Sequence, residues 1–87
     1  MRNDQAAIDR ITRAQEAHSA ALMQLPNVVG TALGVKTVGD KPTEDLALVV
    51  LVRRKVPLDQ LKPQERIPAE IDGVPVDVQE VGDVVSL

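Results

Sequence analysis

Few side chains in this 87-residue chain have the chemistry to act as nucleophile, base or metal ligand. There is one histidine, His18, and no cysteine. The missing cysteines remove disulfides, thiolate nucleophiles and every Cys-based metal site together. His18 falls in the middle of an apolar helical stripe, where a packing histidine is expected, because metal binding or proton transfer needs partners that the stripe does not supply. Ser19 follows it directly. Adjacent helical side chains point roughly 100° apart, so His18 and Ser19 do not form a base and nucleophile pair. Ser86, the other serine, has no base tied to it. Gly30-Thr31-Ala32-Leu33-Gly34-Val35-Lys36-Thr37 has the glycines and lysine of a phosphate loop, but the lysine does not follow the second glycine and no helix follows the segment. The backbone N–H cradle of such a loop needs that helix.

Two charge clusters remain. Arg53-Arg54-Lys55 is the densest basic run, and strand alternation would send Arg53 and Lys55 to one face and Arg54 to the other. Asp72, Asp77, Glu80 and Asp83 are spaced unlike a calcium loop, and acids here read as keeping a sheet edge soluble. No catalytic, cofactor-binding or metal-binding residue is therefore assigned, and no cofactor is expected. The chain reads as a non-enzyme. A small hydrolase built on His18 is the least supported reading.

Composition narrows the partners. At 9.4 kDa the chain holds one core, and 44% hydrophobic with 26% charged residues is ordinary globular usage. With no Phe, Trp or Tyr there is no stacking platform for bases, and the net charge of -3 also speaks against nucleic acid. Residues 1–56 carry eight basic and six acidic side chains, residues 57–87 two and seven, so the C-terminal third is acidic. No apolar run has the length of a membrane span, and the first residues lack the apolar core of a secretory signal. The expectation is a cytoplasmic protein with no membrane partner.

The elements follow from periodicity. Ala7, Ile8, Ile11, Ala14, His18, Ala21, Leu22 and Leu25 recur at three- and four-residue spacing, which predicts a helix over about 4–24, capped by Asn3 or Asp4, supported by an Asp9–Arg13 pair and stopped by Pro26. A β-branched segment over about 28–38 predicts a strand with Val29, Thr31, Leu33 and Val35 on one face. Gly30, Ala32 and Gly34 form a small-residue face suited to receive the Ala-rich helix. Turn residues over 39–44 lead to a central strand over about 46–56, antiparallel to the first. Pro57, Pro63 and Pro68 limit the next stretch to a crossing connection with one helical turn at 58–61. Asp72-Gly73 is a turn, and a strand follows over about 74–81, with Pro75 favouring an edge position or the strand start. The apolar residues at 84–87 either add a short fourth strand or lead into further chain. The fold class is α+β: one long N-terminal helix on a small, mostly antiparallel sheet of three or four strands, in a single domain.

Within residues 27–82, Asn27-Val28-Val29-Gly30, Leu33-Gly34, Lys41-Pro42-Thr43, Leu46-Ala47-Leu48-Val49-Val50 and Lys55-Val56-Pro57-Leu58 occur in order. Leu61, Pro63, Ile67-Pro68, Ile71-Asp72-Gly73-Val74-Pro75-Val76-Asp77-Val78 and Val81-Gly82 follow. The set resembles the N-terminal accessory segment preceding the catalytic domain of bacterial trypsin-like serine peptidases, a group related to the plant narrow-leaf protein. The resemblance implies a non-catalytic accessory or assembly module that helps a peptidase fold, assemble or stay inhibited, with a trypsin-like domain as partner in cis or trans. The family's catalytic residues lie downstream of this segment, so none transfers, and His18 lies upstream of the matched stretch. The rival expectation is a self-standing homo-oligomer assembling through sheet edges, since a thin sheet under one helix leaves two edges and one face for association.

Overall fold

The computed structural model describes residues 5–82 except residue 40. Helix α1 (Gln5–Met23) is followed by strands β1 (Val28–Val38), β2 (Lys41–Val52), β3 (Glu70–Ile71) and β4 (Val74–Glu80), in the sheet order β1-β2-β4-β3. β1 and β2 are antiparallel, β2 and β4 parallel, and β3 and β4 antiparallel. The class is α+β with a mixed four-stranded sheet, and the apolar run 46–52 lies in its middle strand, as its unbroken hydrophobicity predicts. The predicted caps at Asn3 and Asp4 and the 84–87 segment lie outside the described residues. No described helix is long and apolar enough to cross a membrane.

Two boundaries differ from the sequence reading. β2 begins at Lys41, inside the predicted turn, because β1 and β2 stay paired to Val38↔Lys41 and the hairpin closes over two residues, with Gly39 at φ +58°. Pro42 is tolerated there because β4 joins β2 only from Leu48 onward, leaving that flank of β2 without a ladder. β2 ends at Val52, so Arg53, Arg54 and Lys55 follow the strand and the face alternation expected of them does not apply. The crossing connection holds two 3-10 turns, Leu58–Gln60 and Pro63–Glu65, and the short β3, neither the second turn nor β3 being expected. Asp72 and Gly73 both have positive φ (52° and 77°) and turn β3 into β4. β4 lies inside the sheet, so Pro75 satisfies the strand-start option, one residue before the parallel ladder opens at Val76.

The core lies between α1 and one side of the sheet. Ile11, Ala14 and Leu22 meet Val28, Leu48, Val50, Val52 and Val76, with Ile71 and Val74 closing the end. The helix seats on the Thr31 side of β1, not on the small-residue face predicted for it: Gln15 Nε2 donates to Thr31 Oγ1 (3.1 Å), and Ser19 Oγ lies 3.2 Å from the same atom. The flank of α1 over β1 carries Gln15 and Ser19, and Thr31 is the group on that side of β1 able to satisfy them. A bulge between Val28 and Gly30 also breaks the predicted alternation of Val29 with Thr31, and Val28 packs into the core.

The side of the sheet away from the helix is not open. Ala47 and Val49 point there, yet both are buried. The sheet coils until the C-terminal half of β1 reaches β4 across β2, with Gln79 Nε2 donating to the Val35 carbonyl (3.3 Å). Gly34 makes that approach feasible, since a Cβ at this position would stand 2.9 Å from Val49 Cγ2.

Candidate functional site

His18 is half-exposed, and its Nε2 lies 2.8 Å from Asp72 Oδ2 in the β3–β4 turn. Fifty-four positions separate the two residues, so the partner that the helical stripe lacks is supplied by the fold. The pair ties the middle of α1 to the hairpin. Ser19 is engaged with Thr31 and not with His18, as the 100° offset requires.

The acidic residues 72, 77 and 80 do not gather. Asp72 faces His18, and Glu80 Oε1 accepts the Lys55 N–H (2.8 Å). Asp77 is only 9% exposed, which overturns the expectation that it keeps an edge soluble. Its Oδ2 accepts hydrogen bonds from the Thr37 N–H (3.1 Å), Thr37 Oγ1 (2.9 Å) and Gln79 Nε2 (3.0 Å). Burial pushes the Asp77 carboxyl upward, but the hydrogen bonds from Gln79 and Thr37 and the charge of Lys55 outweigh it and hold the pKa below the ordinary aspartate value. Thr37 reaches Asp77 because the register of the hairpin shifts between Val35 and Thr37. Thr43 belongs to the same irregularity, its Oγ1 donating to the Lys36 carbonyl (2.6 Å). This arrangement is a clasp between β1 and β4. Among the described residues, no three His, Asp or Glu side chains lie close enough to share a metal ion.

The glycine and lysine segment at 30–37 is strand throughout, which excludes the phosphate-loop geometry. The basic run, in contrast, borders a concave feature that the sequence reading did not find. A groove of about 440 Å³ opens where β2 and β4 leave the sheet. Val52, Val78 and Ile67 form its floor, Leu61 stands in its wall, and Arg54 and Lys55 line its margin. The floor residues also pack into the core beneath, so among the described residues the groove is a place where the core lacks a cover.

Asn27 builds the margin. It has φ +76° between Pro26 and β1, its carbonyl accepts the Arg53 N–H (2.9 Å), and its Oδ1 accepts the Arg54 N–H (3.1 Å). Its Nδ2 donates to the Arg54 carbonyl. An asparagine suits this point because its short amide tolerates the left-handed backbone while bonding a neighbouring chain. The only sequence signal for the groove was Asn27 placed between Pro26 and a strand, and it names no distant partner.

A helix on a four-stranded mixed sheet, with a two-residue hairpin and a prolyl crossing connection, accommodates the ordered segments from Asn27 to Gly82. The sequence matches the NARROW LEAF 1 N-terminal domain over residues 7–85. The chain belongs to that family. By its description the family is the N-terminal domain of a larger protein, and the match takes in α1 as well as the sheet. No curated protein matches the chain.

Proposed function

We propose that this NARROW LEAF 1 N-terminal domain is a non-catalytic accessory or assembly module of a trypsin-like serine peptidase system, acting in cis or trans on folding, assembly or inhibition of the catalytic part. The observation that carries the reading is the family match over residues 7–85, joined to the ordered segments that resemble the region ahead of such catalytic domains. The geometry is compatible with it. His18, Ser19 and Asp77 are each spent on holding one element to another. Mixing the purified domain with its cognate catalytic region, followed by size-exclusion chromatography and a peptide-cleavage assay, tests the reading. A stable complex or a change in refolding yield or cleavage rate is expected, and the absence of all three removes it.

A second reading, self-association through a sheet edge, rests on β1. The strand has 11 residues, β2 is its only sheet neighbour among the described residues, and Lys36 is its one charged residue. Such an edge has no proline and a single charge to discourage pairing. Light scattering at micromolar concentration is expected to give a twofold dimer under this reading, and a monomer removes it.

A further inference from the structure

The groove between the ends of β2 and β4 combines three properties that the accessory reading leaves unassigned. Its floor is aliphatic, with Val52, Val78 and Ile67 continuous with the core. Its margin is cationic, with exposed Arg54 and Lys55. The main chain at Arg54 is held in advance, because Asn27 bonds the Arg54 N–H and carbonyl from a separate loop. A main chain fixed in advance lowers the ordering cost of binding, and the charges it carries select partners by complementarity.

We propose that this groove docks a polypeptide segment in which aliphatic side chains alternate with carboxylates. The aliphatic side chains fill the floor, and the carboxylates meet Arg54 and Lys55. Three main-chain groups beside the groove are already used: the Lys55 N–H bonds Glu80, the Val81 N–H bonds the Val52 carbonyl and the Gly82 N–H bonds the Arg53 carbonyl. Glu65 also lines the groove. Its Oε1 accepts the Lys62 N–H (3.0 Å), and its charge opposes a continuous anionic surface such as a lipid bilayer more than a peptide whose carboxylates are spaced by aliphatic residues. The inference rests on the accessory reading for its biological setting and deepens it by naming what the module holds.

The test uses the 87-residue chain and two fluorescein-labelled hexapeptides, Glu-Leu-Val-Asp-Leu-Glu and the same peptide with lysine at the three acidic positions, followed by fluorescence anisotropy. The acidic peptide is expected to bind at least about tenfold more tightly than the basic one, a preference that falls with added salt. Arg54→Glu combined with Lys55→Glu is expected to reverse the preference. Reversal in a variant whose circular dichroism matches that of the unaltered chain locates the site and separates lost binding from lost folding. Equal binding of the two peptides, binding of neither, or an unchanged preference in the double variant overturns the proposal. Octanoate displacing the acidic peptide at equal concentration also overturns it, because the groove would then be a site for small organic acids. The catalytic region is absent from this assay, so the two readings fail separately. Peptide capture without any effect on a peptidase removes the accessory role alone, and an effect on the peptidase without peptide capture removes the groove alone.

Discussion

The two sides of the sheet are closed by different chemistry. On one side α1 lays Ile11, Ala14 and Leu22 over valines and leucine, and the contact is non-directional aliphatic burial. On the other side the sheet closes upon itself: β1 bends over Ala47 and Val49, and a carboxylate from β4 holds Thr37. The first side tolerates approximate shapes, while the second depends on one glycine, one register shift and one buried aspartate. Aliphatic packing is therefore the larger contribution to stability, and the polar clasp decides how far the sheet coils.

The largest effect is expected on the helix side. Leu48 and Val50 are fully enclosed. Leu48→Ala should cost about 2 to 5 kcal/mol and Val50→Ala about 1 to 3 kcal/mol, read as shifts of the urea midpoint at unchanged slope. If both variants melt like the unaltered chain, β2 is not the centre of the core.

Next comes Gly34→Ala, which places a methyl carbon 2.9 Å from Val49 Cγ2 on the coiled side. A cost of about 1 to 3 kcal/mol is expected, because Val49 is buried and its β-branched side chain is stiff at χ1. Combining it with Val49→Ala should recover part of the loss, so that the costs of the two changes do not add. Strict additivity would mean that β1 does not press on Val49.

The clasp gives a smaller, pH-dependent effect. Asp77→Asn should cost about 1 to 2 kcal/mol at neutral pH by weakening hydrogen bonds to a charged acceptor. The folded pKa of Asp77 lies below its unfolded value, so the carboxylate stabilises the fold fully above the unfolded value, near pH 4, and this contribution is lost as pH falls through the lower folded value. Urea melts from pH 7 to pH 2.5 should show the gap between variant and parent shrinking below about pH 4. A gap that is constant or grows in acid would separate Asp77 from the clasp.

The smallest effect belongs to His18→Gln. His18 is half-exposed and Asp72 exposed, so the loss should stay under about 0.5 kcal/mol. A larger loss would show that the hairpin at residues 72 and 73 depends on the helix for its position.

Local pattern alone was sufficient for α1, for β1, for the position of β2 inside the sheet and for the Asp72-Gly73 turn. Helical spacing, β-branching, an unbroken apolar run and a glycine turn each act over a few residues, and the structure preserves them. Membership of the family was likewise legible in the order of the segments from Asn27 to Gly82. The tertiary structure alone decided which face of β1 receives the helix, because that choice depends on Gln15 and Ser19 finding Thr31 and on a bulge that brings Val28 inward. It also decided that Asp77 is buried with Thr37, forty positions away, and that Asn27 orders Arg54 beside a groove. Periodicity assigns a side chain to a face of its own element, whereas pairing register and coiling determine what stands opposite, and those depend on contacts across the whole chain.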